Sequence, residues 1–492
     1  MAARAWLAGL ALLHAALGSD NGLALTPPMG WRSWNQFQGA ISQAVMERAY
    51  RGLADRSRPV WAEGGEKHAS LADLGYTDAG LDDGWQACGS YGPDQYRYHT
   101  AAGDPVVNTD RFPDMRTMTS LAHSLNLTAG WYGNACGCAD GCCSDHCDTI
   151  ECFAGDVNAT LAYGFDSYKV DGCGAQRDVA LWDRLFNHSL RNSGGMPMML
   201  ENCHDGDDEP EGNAPHYTPR GELWCPYHMY RTSGDARPTY GSVLSNLNTT
   251  RAYAAAKLSV PGCWAYPDML EVGVTRTGIG AGSGNNCGPP LNEPCPPLSV
   301  TEARTHFGAW CIVSSPLVIG FDFADAQTVD AHWATVTNTD AIEVNQDYAG
   351  EAGTRFQASA DTAEFPACGW GATYPGRTNA SCTWPSTMGW AKRLSGRDGR
   401  RSIAAVLLMS NGPDTTTLSL AWSDLPWPLD DEHGRAGVTG EVAGCHVYDV
   451  WERISLGRVG GAGLVVEGVA AHDSVFVTLS NCTALPARVL PS

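Results

Sequence analysis

Positive charge is what this sequence has least of. Only 32 of its 492 residues are Lys or Arg, against 54 Asp and Glu, which leaves a formal net charge of −22. Nucleic acid and anionic membrane surfaces are recognised through basic patches, so this balance argues against both as partners. A long apolar run is also missing. No stretch of the chain reaches the ~18 uncharged apolar residues that a bilayer span requires. Low-complexity sequence is confined to Gly278–Pro297, rich in Gly, Pro and Asn, which reads as a long surface loop.

What is present is a sizeable core and the marks of the secretory pathway. Hydrophobic residues make up 43% of the chain, enough for a large domain and a smaller one. Residues 1–18 read as a signal peptide, with Arg4, an apolar run from Ala5 to Leu17 broken only by His14, and small Ala16 and Gly18 before a cleavage site at Ser19. The 18 cysteines are an even number and suit an oxidising compartment. N-glycosylation sequons begin at Asn126, Asn158, Asn187, Asn248, Asn379 and Asn481. An extracellular or lysosomal/vacuolar protein is expected, with no membrane span.

From Ala24 to about Asn345 one pattern recurs: an apolar strand-like run ends in polar residues, and a helix-like stretch follows. The runs are Leu25–Trp34, Tyr76–Trp85, Leu127–Gly133, Ser167–Cys173, Met198–Cys203, Met229–Asp235, Val260–Tyr266 and Pro316–Phe323. Amphipathic stretches such as Asp178–Arg191 and Ser299–Val313 lie between them. Strand and helix alternating in this way predict a (β/α)₈ TIM barrel over residues 22–347, whose active site belongs at the C-terminal strand ends. After Asp347 the period changes to short alternating strands: Ser402–Met409, Thr415–Trp422, His446–Asp449, Gly463–Val469 and Ser474–Leu479. These predict a C-terminal antiparallel β-sandwich over 352–485. The segment 134–157 is an irregular insertion carrying Cys136, Cys138, Cys142, Cys143, Cys147 and Cys152. The secretory signal favours disulfides over zinc there, with the pairing open.

The chemistry sits at strand ends. In Tyr168-Lys169-Val170-Asp171-Gly172-Cys173, period 2 puts Lys169 and Asp171 on one face, an activated carboxylate beside a cation. A surface salt bridge is the plain alternative. Asp235 in Tyr230-Arg231-Thr232-Ser233-Gly234-Asp235 supplies a second carboxylate, with Arg231 four residues before it. The adjacent Asp82 and Asp83 of Leu81-Asp82-Asp83-Gly84-Trp85 suit vicinal sugar hydroxyls, with a calcium site or a solvated turn as rivals. Trp34 offers a face for a sugar ring, though most of the 17 tryptophans must pack in the core. Asp268 and Met269 follow strand seven and suit a pocket wall. Two carboxylates of this kind predict a retaining glycosidase, in which one attacks the anomeric carbon and the other acts as acid and then base.

The motifs TPPMGWRSWN, LDDGW, YKVDGC, YRTSGD and PGCWAYPDMLEVG, in this order, resemble glycoside hydrolase family 27, the α-galactosidases and α-N-acetylgalactosaminidases. The resemblance covers about residues 22–345 strongly and the C-terminal region weakly. It implies a cofactor-free, metal-free retaining exo-glycosidase acting on terminal α-D-galactosides in oligosaccharides, glycolipids or glycoproteins, and the oligomeric state, a homodimer among the alternatives, is left open. It implies Asp171 as nucleophile and Asp235 as acid/base. It also implies Trp34, Asp82, Asp83, Tyr132, Lys169, Cys203, His204, Arg231, Asp268 and Met269 around the sugar. Cys173 resembles a cysteine that is disulfide-bonded beside the nucleophile, its partner coming from the Cys136–Cys142 group.

The chain departs from the family pattern in four ways. Gly39 and Gly84 replace two cysteines together, as expected where one disulfide is lost whole. His204, in Glu201-Asn202-Cys203-His204-Asp205-Gly206, matches neither the glutamate of α-galactosidases nor the small residues of α-N-acetylgalactosaminidases, which leaves the 2-substituent open. Ala265-Tyr266 replaces a polar pair. The 134–157 insertion and the 278–297 loop are expected to narrow the pocket mouth. The same scaffold serves β-L-arabinopyranosidases and isomalto-dextranases. A non-catalytic sugar-binding derivative and a calcium-dependent adhesion protein are the readings outside that class.

Overall fold

The computed structural model describes residues 21–62, 65–87, 98–134, 150–171, 178–193, 195–203, 214–275, 296–366, 368, 381–427 and 442–484. The predicted signal peptide, Cys136–Cys147, Cys173, His204, the Asn379 sequon and nearly all of the 278–297 loop lie outside the described residues. Eight parallel strands form one sheet: β1 Met29–Arg32, β2 Asp78–Gly80, β3 Thr128–Gly133, β4 Ser167–Asp171, β5 Met199–Cys203, β6 Met229–Arg231, β7 Trp264–Tyr266 and β8 Leu317–Ile319. Consecutive strands pair from β1 through β7, and β1 also pairs with β8. Between β7 and β8 the ring is joined by the Leu270 N–H donating to the Val318 carbonyl at 2.8 Å. This is the expected (β/α)₈ barrel, and each predicted run contains its strand.

Period 2 explains which side chains reach the interior. On β4, Tyr168 and Val170 face outward into the helical layer, where Tyr168 lies 5.1 Å from Trp182 between ring centroids. Lys169 and Asp171 therefore face inward. The same alternation turns Leu200 outward and Glu201 and Cys203 inward on β5, and Ala265 outward between Trp264 and Tyr266 on β7. Met229, Trp264, Tyr266, Met269 and Val318 make an apolar interior cluster against which Trp34 packs.

The helices are α1 Gln43–Leu53, α2 Met115–Ser124, α3 Ile150–Tyr163, α4 Val179–Ser193, α5 Tyr240–Ala255, α6 Val300–Ile312, α7 Ala326–Val336 and α8 Thr339–Gln346. Their starts follow from capping chemistry: Asp114, Thr239, Asp325 and Asn338 each accept a backbone N–H of the first turn. Ser299 and Glu302 form a reciprocal capping box at α6. Between β5 and β6 the described residues hold a hairpin, His216–Tyr217 against Leu223–Trp224, rather than a helix.

After α8 a short hairpin, Thr362–Phe365 against Cys382–Pro385, forms a sheet of its own, and the strands of the sandwich are β9 Thr354–Ala358, β10 Thr387–Arg393, β11 Ala404–Ser410, β12 Thr416–Ala421, β13 Val442–Asp449, β14 Ile454–Gly460, β15 Gly463–Val469 and β16 Ser474–Ala484. Six form an antiparallel sheet in the order β9-β10-β11-β16-β13-β14, and β12 pairs with β15 to face it. Strand β11 is buried on both sides. Ala404, Val406 and Leu408 enter the sandwich core, while Ala405, Leu407 and Met409 join the core beneath the barrel. Gly308 on α6 leaves room for this contact, since a Cβ there would stand 2.7 Å from the Trp451 ring and 3.2 Å from Leu407. The sandwich thus packs on the barrel through one sheet face. Disulfides join Cys225 to Cys263, Cys368 to Cys382 and Cys445 to Cys482. No helix among the described residues is long and apolar enough to cross a membrane.

Candidate active site

The inward side chains at the C-terminal strand ends converge. Asp171, last residue of β4, accepts a hydrogen bond at 2.5 Å from the Tyr132 hydroxyl on β3, which itself accepts from Asn134 Nδ2 at 2.8 Å. Lys169 lies beneath Asp171 with its ammonium 5.2 Å from the Tyr132 ring centroid. Its direct partner is Asp82, at 2.8 Å from Nζ to Oδ2. Both are buried, so the pair lives or dies as a unit: either charge alone would be strongly unfavourable there. Asp82 Oδ1 also accepts the Asp83 N–H at 2.9 Å, and the Asp82 N–H donates to Ser33 Oγ at 3.0 Å.

On the opposite side Arg231 gathers two carboxylates. Its Nη1 lies 3.1 Å from Asp268 Oδ1, and its Nη2 3.2 Å from Asp235 Oδ1. Nη1 also approaches the Cys203 sulfur at 3.3 Å. Asp268 is held in a conformation a side chain rarely adopts, φ 95°, and backbone donors explain why it stays there. Its carboxylate accepts the Ala236 and Met269 N–H groups at 2.5 and 2.7 Å, and its carbonyl accepts Trp310 Nε1 at 2.7 Å. Asp268 is buried, whereas the Asp235 side chain is 61% exposed and meets solvent.

The two proposed catalytic carboxyls are pushed in opposite directions. Burial raises Asp171 above the usual carboxylate value, and Asp82 and Asp235 add to that. The opposing pull of Lys169 and the Tyr132 hydrogen bond does not cancel it. At Asp235 the loss of hydration from surrounding protein atoms also raises the carboxyl, but Arg231, Lys169 and Arg237 outweigh it and hold the group low, in keeping with its exposed side chain. Burial pushes Asp83 up to about 6, despite hydrogen bonds from Gln86 and the Gly84 N–H. Lys169, expected to activate Asp171 as its neighbour, lowers it without overcoming burial, and its direct contact is with Asp82.

Trp34, Asp82, Asp83, Tyr132, Lys169, Asp171, Cys203, Arg231, Asp235, Asp268 and Met269 all lie on or just beyond the strand ends of one barrel face. Cys203 carries a free thiol, in register with Asp171 across β4 and β5. Residues not singled out from the sequence also belong here: Arg32, Glu201, Asn134 and Tyr266. Arg32 and Glu201 did carry a signal, each being a charge within a strand-like run. The Gly39–Gly84 expectation has a structural counterpart. A Cβ on Gly84, at φ +103°, would stand 3.0 Å from Gly39 Cα. Where a disulfide would tie two loops, two backbones meet directly, and Arg111 donates to the Gly39 and Ile41 carbonyls.

A parallel barrel with carboxylates and cations gathered over its C-terminal face has the arrangement of a (β/α)₈ enzyme, whose active site lies on that face. The family model described as alpha galactosidase A matches residues 26–283, just over half of the chain, and the chain belongs to that family of glycoside hydrolases, family 27. An alpha-galactosidase of Oryza sativa subsp. japonica is 27% identical over 463 residues, covering 94% of this chain and 86% of its own. Among solved structures, alpha-galactosidase I from Mortierella vinacea superposes with a TM-score of 0.65 at 20% identity, covering 95% of this chain and 100% of that one. A family 27 β-L-arabinopyranosidase from Geobacillus stearothermophilus gives 0.62 at 16% identity, covering 95% and 98%. These two structural likenesses concern the fold.

Proposed function

We propose that the protein is a retaining exo-glycosidase of the secretory pathway that removes terminal α-D-galactosyl groups from oligosaccharides, glycolipids or glycoproteins. The observation that carries this is the pairing of carboxylates over one barrel face: Asp171 fixed by Tyr132 on one side, Asp235 held by Arg231 and open to solvent on the other. In the first step Asp171 attacks the anomeric carbon and the glycosidic bond breaks, Asp235 giving its proton to the leaving oxygen. In the second, Asp235 takes a proton from water, which attacks the same carbon, and Asp171 leaves as a carboxylate. Asp82, Asp83, Lys169, Arg231 and Asp268 have the donors and acceptors to grip the ring hydroxyls, and Trp34 and Met269 the apolar surface to meet its face. The barrel over 22–347 carries the chemistry, and the sandwich over 352–485 supports it.

The test is hydrolysis of paired chromogenic α-galactoside and α-N-acetylgalactosaminide substrates, with the product anomer read by proton NMR. The expected result is cleavage of the plain galactoside with α-galactose formed first, and loss of turnover by several orders of magnitude in Asp171→Asn. β-Galactose as the first product would show inversion and remove the nucleophile role. Preference for the acetamido sugar would move the assignment to the second activity of the family.

A further inference from the structure

Below the carboxylates the barrel is crossed by a second buried ion pair. Arg32 ends β1, Glu201 lies on β5, and these strands stand opposite each other in the ring. Arg32 Nη1 reaches Glu201 Oε2 at 2.5 Å with both side chains 4% exposed. The guanidinium passes over Gly80, where a Cβ would stand 2.8 Å from Arg32 Nε, so the strand beside Arg32 is shaped to let it cross. Nothing in the two-step reaction above uses this pair.

Its position explains a choice that Lys169 makes. Lys169 and Glu201 are register partners on adjacent strands, with side chains on the same inner face. Glu201 is thus a carboxylate within easy reach of the ammonium, yet Lys169 bonds Asp82, which comes from beyond the end of β2. The charged and titratable groups facing Lys169 are Asp82, Cys203, Asp171, Glu201 and Asp235, with the Tyr132 ring, and Glu201 is faced by Arg231 as well as by Arg32 and Lys169. Those facing Arg32 are Glu201, Asp82, Asp78 and Tyr266. We propose that Arg32 is a positioning residue of the reaction: by holding Glu201 it keeps that carboxylate from capturing Lys169, and so leaves the ammonium on Asp82 and beside Asp171. The sugar-gripping carboxylate and the attacking one both depend on a salt bridge that touches neither the substrate nor the bond being broken. The inference rests on the proposed function for its kinetic readout.

The test compares Arg32→Met with the double variant Arg32→Met/Glu201→Gln, by crystal structure and by the pH profile of kcat/KM on a chromogenic α-galactoside. In R32M the freed Glu201 should take Lys169 Nζ from Asp82. The acid limb should rise by about one pH unit or more, because a cation within a few ångströms lowers a carboxylate by that amount. In the double variant the competitor is gone, so Lys169 should return to Asp82 and the limb toward its wild-type position. If R32M does not fold, Arg32→Gln, which keeps one donor to Glu201, should show the same displacement to a lesser degree. A Lys169 that stays on Asp82 in R32M or R32Q, or a double variant whose limb stays with that of R32M, overturns the proposal and leaves the pair as scaffold. Wild-type protein inactive on every galactoside would count against the proposed function alone, because the position of Lys169 in the crystals still decides this inference.

Discussion

The hydrogen bond from Tyr132 to Asp171 sets a number that kinetics can read. Tyr132→Phe removes one hydroxyl and keeps the ring that lies under the Lys169 ammonium. A hydrogen bond to a charged group is worth about 1.5–3 kcal/mol, and one pKa unit is about 1.4 kcal/mol. The bond favours the carboxylate over the acid, so its loss raises the pKa of Asp171 by about one to two units. The acid limb of kcat/KM reports the group that must be ionised in the free enzyme. It should therefore move up by that amount in Y132F, with roughly a tenfold loss or more on the acid side and a far smaller loss on the plateau. Thermal unfolding of both proteins at the assay pH controls for stability. An acid limb that does not move would show that Tyr132 does not govern the ionisation of the nucleophile. A uniform loss at all pH values would point to a contact made only in the transition state.

Lys392 is buried where the sandwich meets the barrel and donates to the Val344 and Asn345 carbonyls at the end of α8. Burial, against the weaker pull of Asp347 and Cys311, lowers its pKa to about 7. The unfolded chain titrates near ~10.4, so between these values it binds a proton that the native state does not, and stability rises with pH. Lys392→Met lacks that rise. The Tm of wild type relative to K392M should improve steadily from pH 7 to 10 and be flat below pH 7, and parallel curves would refute the reading. Leu407→Ala empties the barrel-facing side of β11. It should cost about 2–5 kcal/mol in urea unfolding, and a loss under ~0.5 kcal/mol would mean the interface carries little of the stability.

The barrel was legible because each strand run kept its period and ended in polar residues. Lys169, Asp171, Asp82, Arg231 and Asp235 could be brought to one face by that reasoning alone. Their pairing could not. Period 2 places Lys169 beside Asp171, but the carboxylate it touches is two strands away in the ring, and only closure of the barrel fixes that distance. The Arg32–Glu201 pair was hidden for the same reason, since it joins strands 169 residues apart in sequence that meet only across the barrel interior. In the sandwich the unmarked strands were β9, β10 and β14. Strand β10 buries Met388 to Lys392 on both faces, which erases alternation, and β14 is an exposed edge interrupted by Gly457. The described part of the connection between β5 and β6 is a hairpin where the strand–helix rhythm called for a helix, and no local residue in it announces that.

The surroundings bias the two proposed catalytic carboxyls against the order their chemistry needs. Attack requires Asp171 ionised and Asp235 protonated, yet burial raises the first and Arg231 lowers the second. Two interacting carboxyls titrate as a pair, and the direction of both shifts disfavours the proton on Asp235. A bound sugar changes both sides of that balance. A ring hydroxyl taken by Arg231 would weaken the 3.2 Å contact to Asp235 Oδ1, and the ring would cover a side chain that is 61% exposed. Each change raises Asp235. Positive charge growing at the anomeric carbon favours the ionised form of Asp171 at the same moment. The basic limb of kcat, which reports the complex, should therefore lie above the basic limb of kcat/KM, which reports the free enzyme. A kcat limb at or below the other would mean that substrate does not redistribute the proton, and that Asp235 is not the acid.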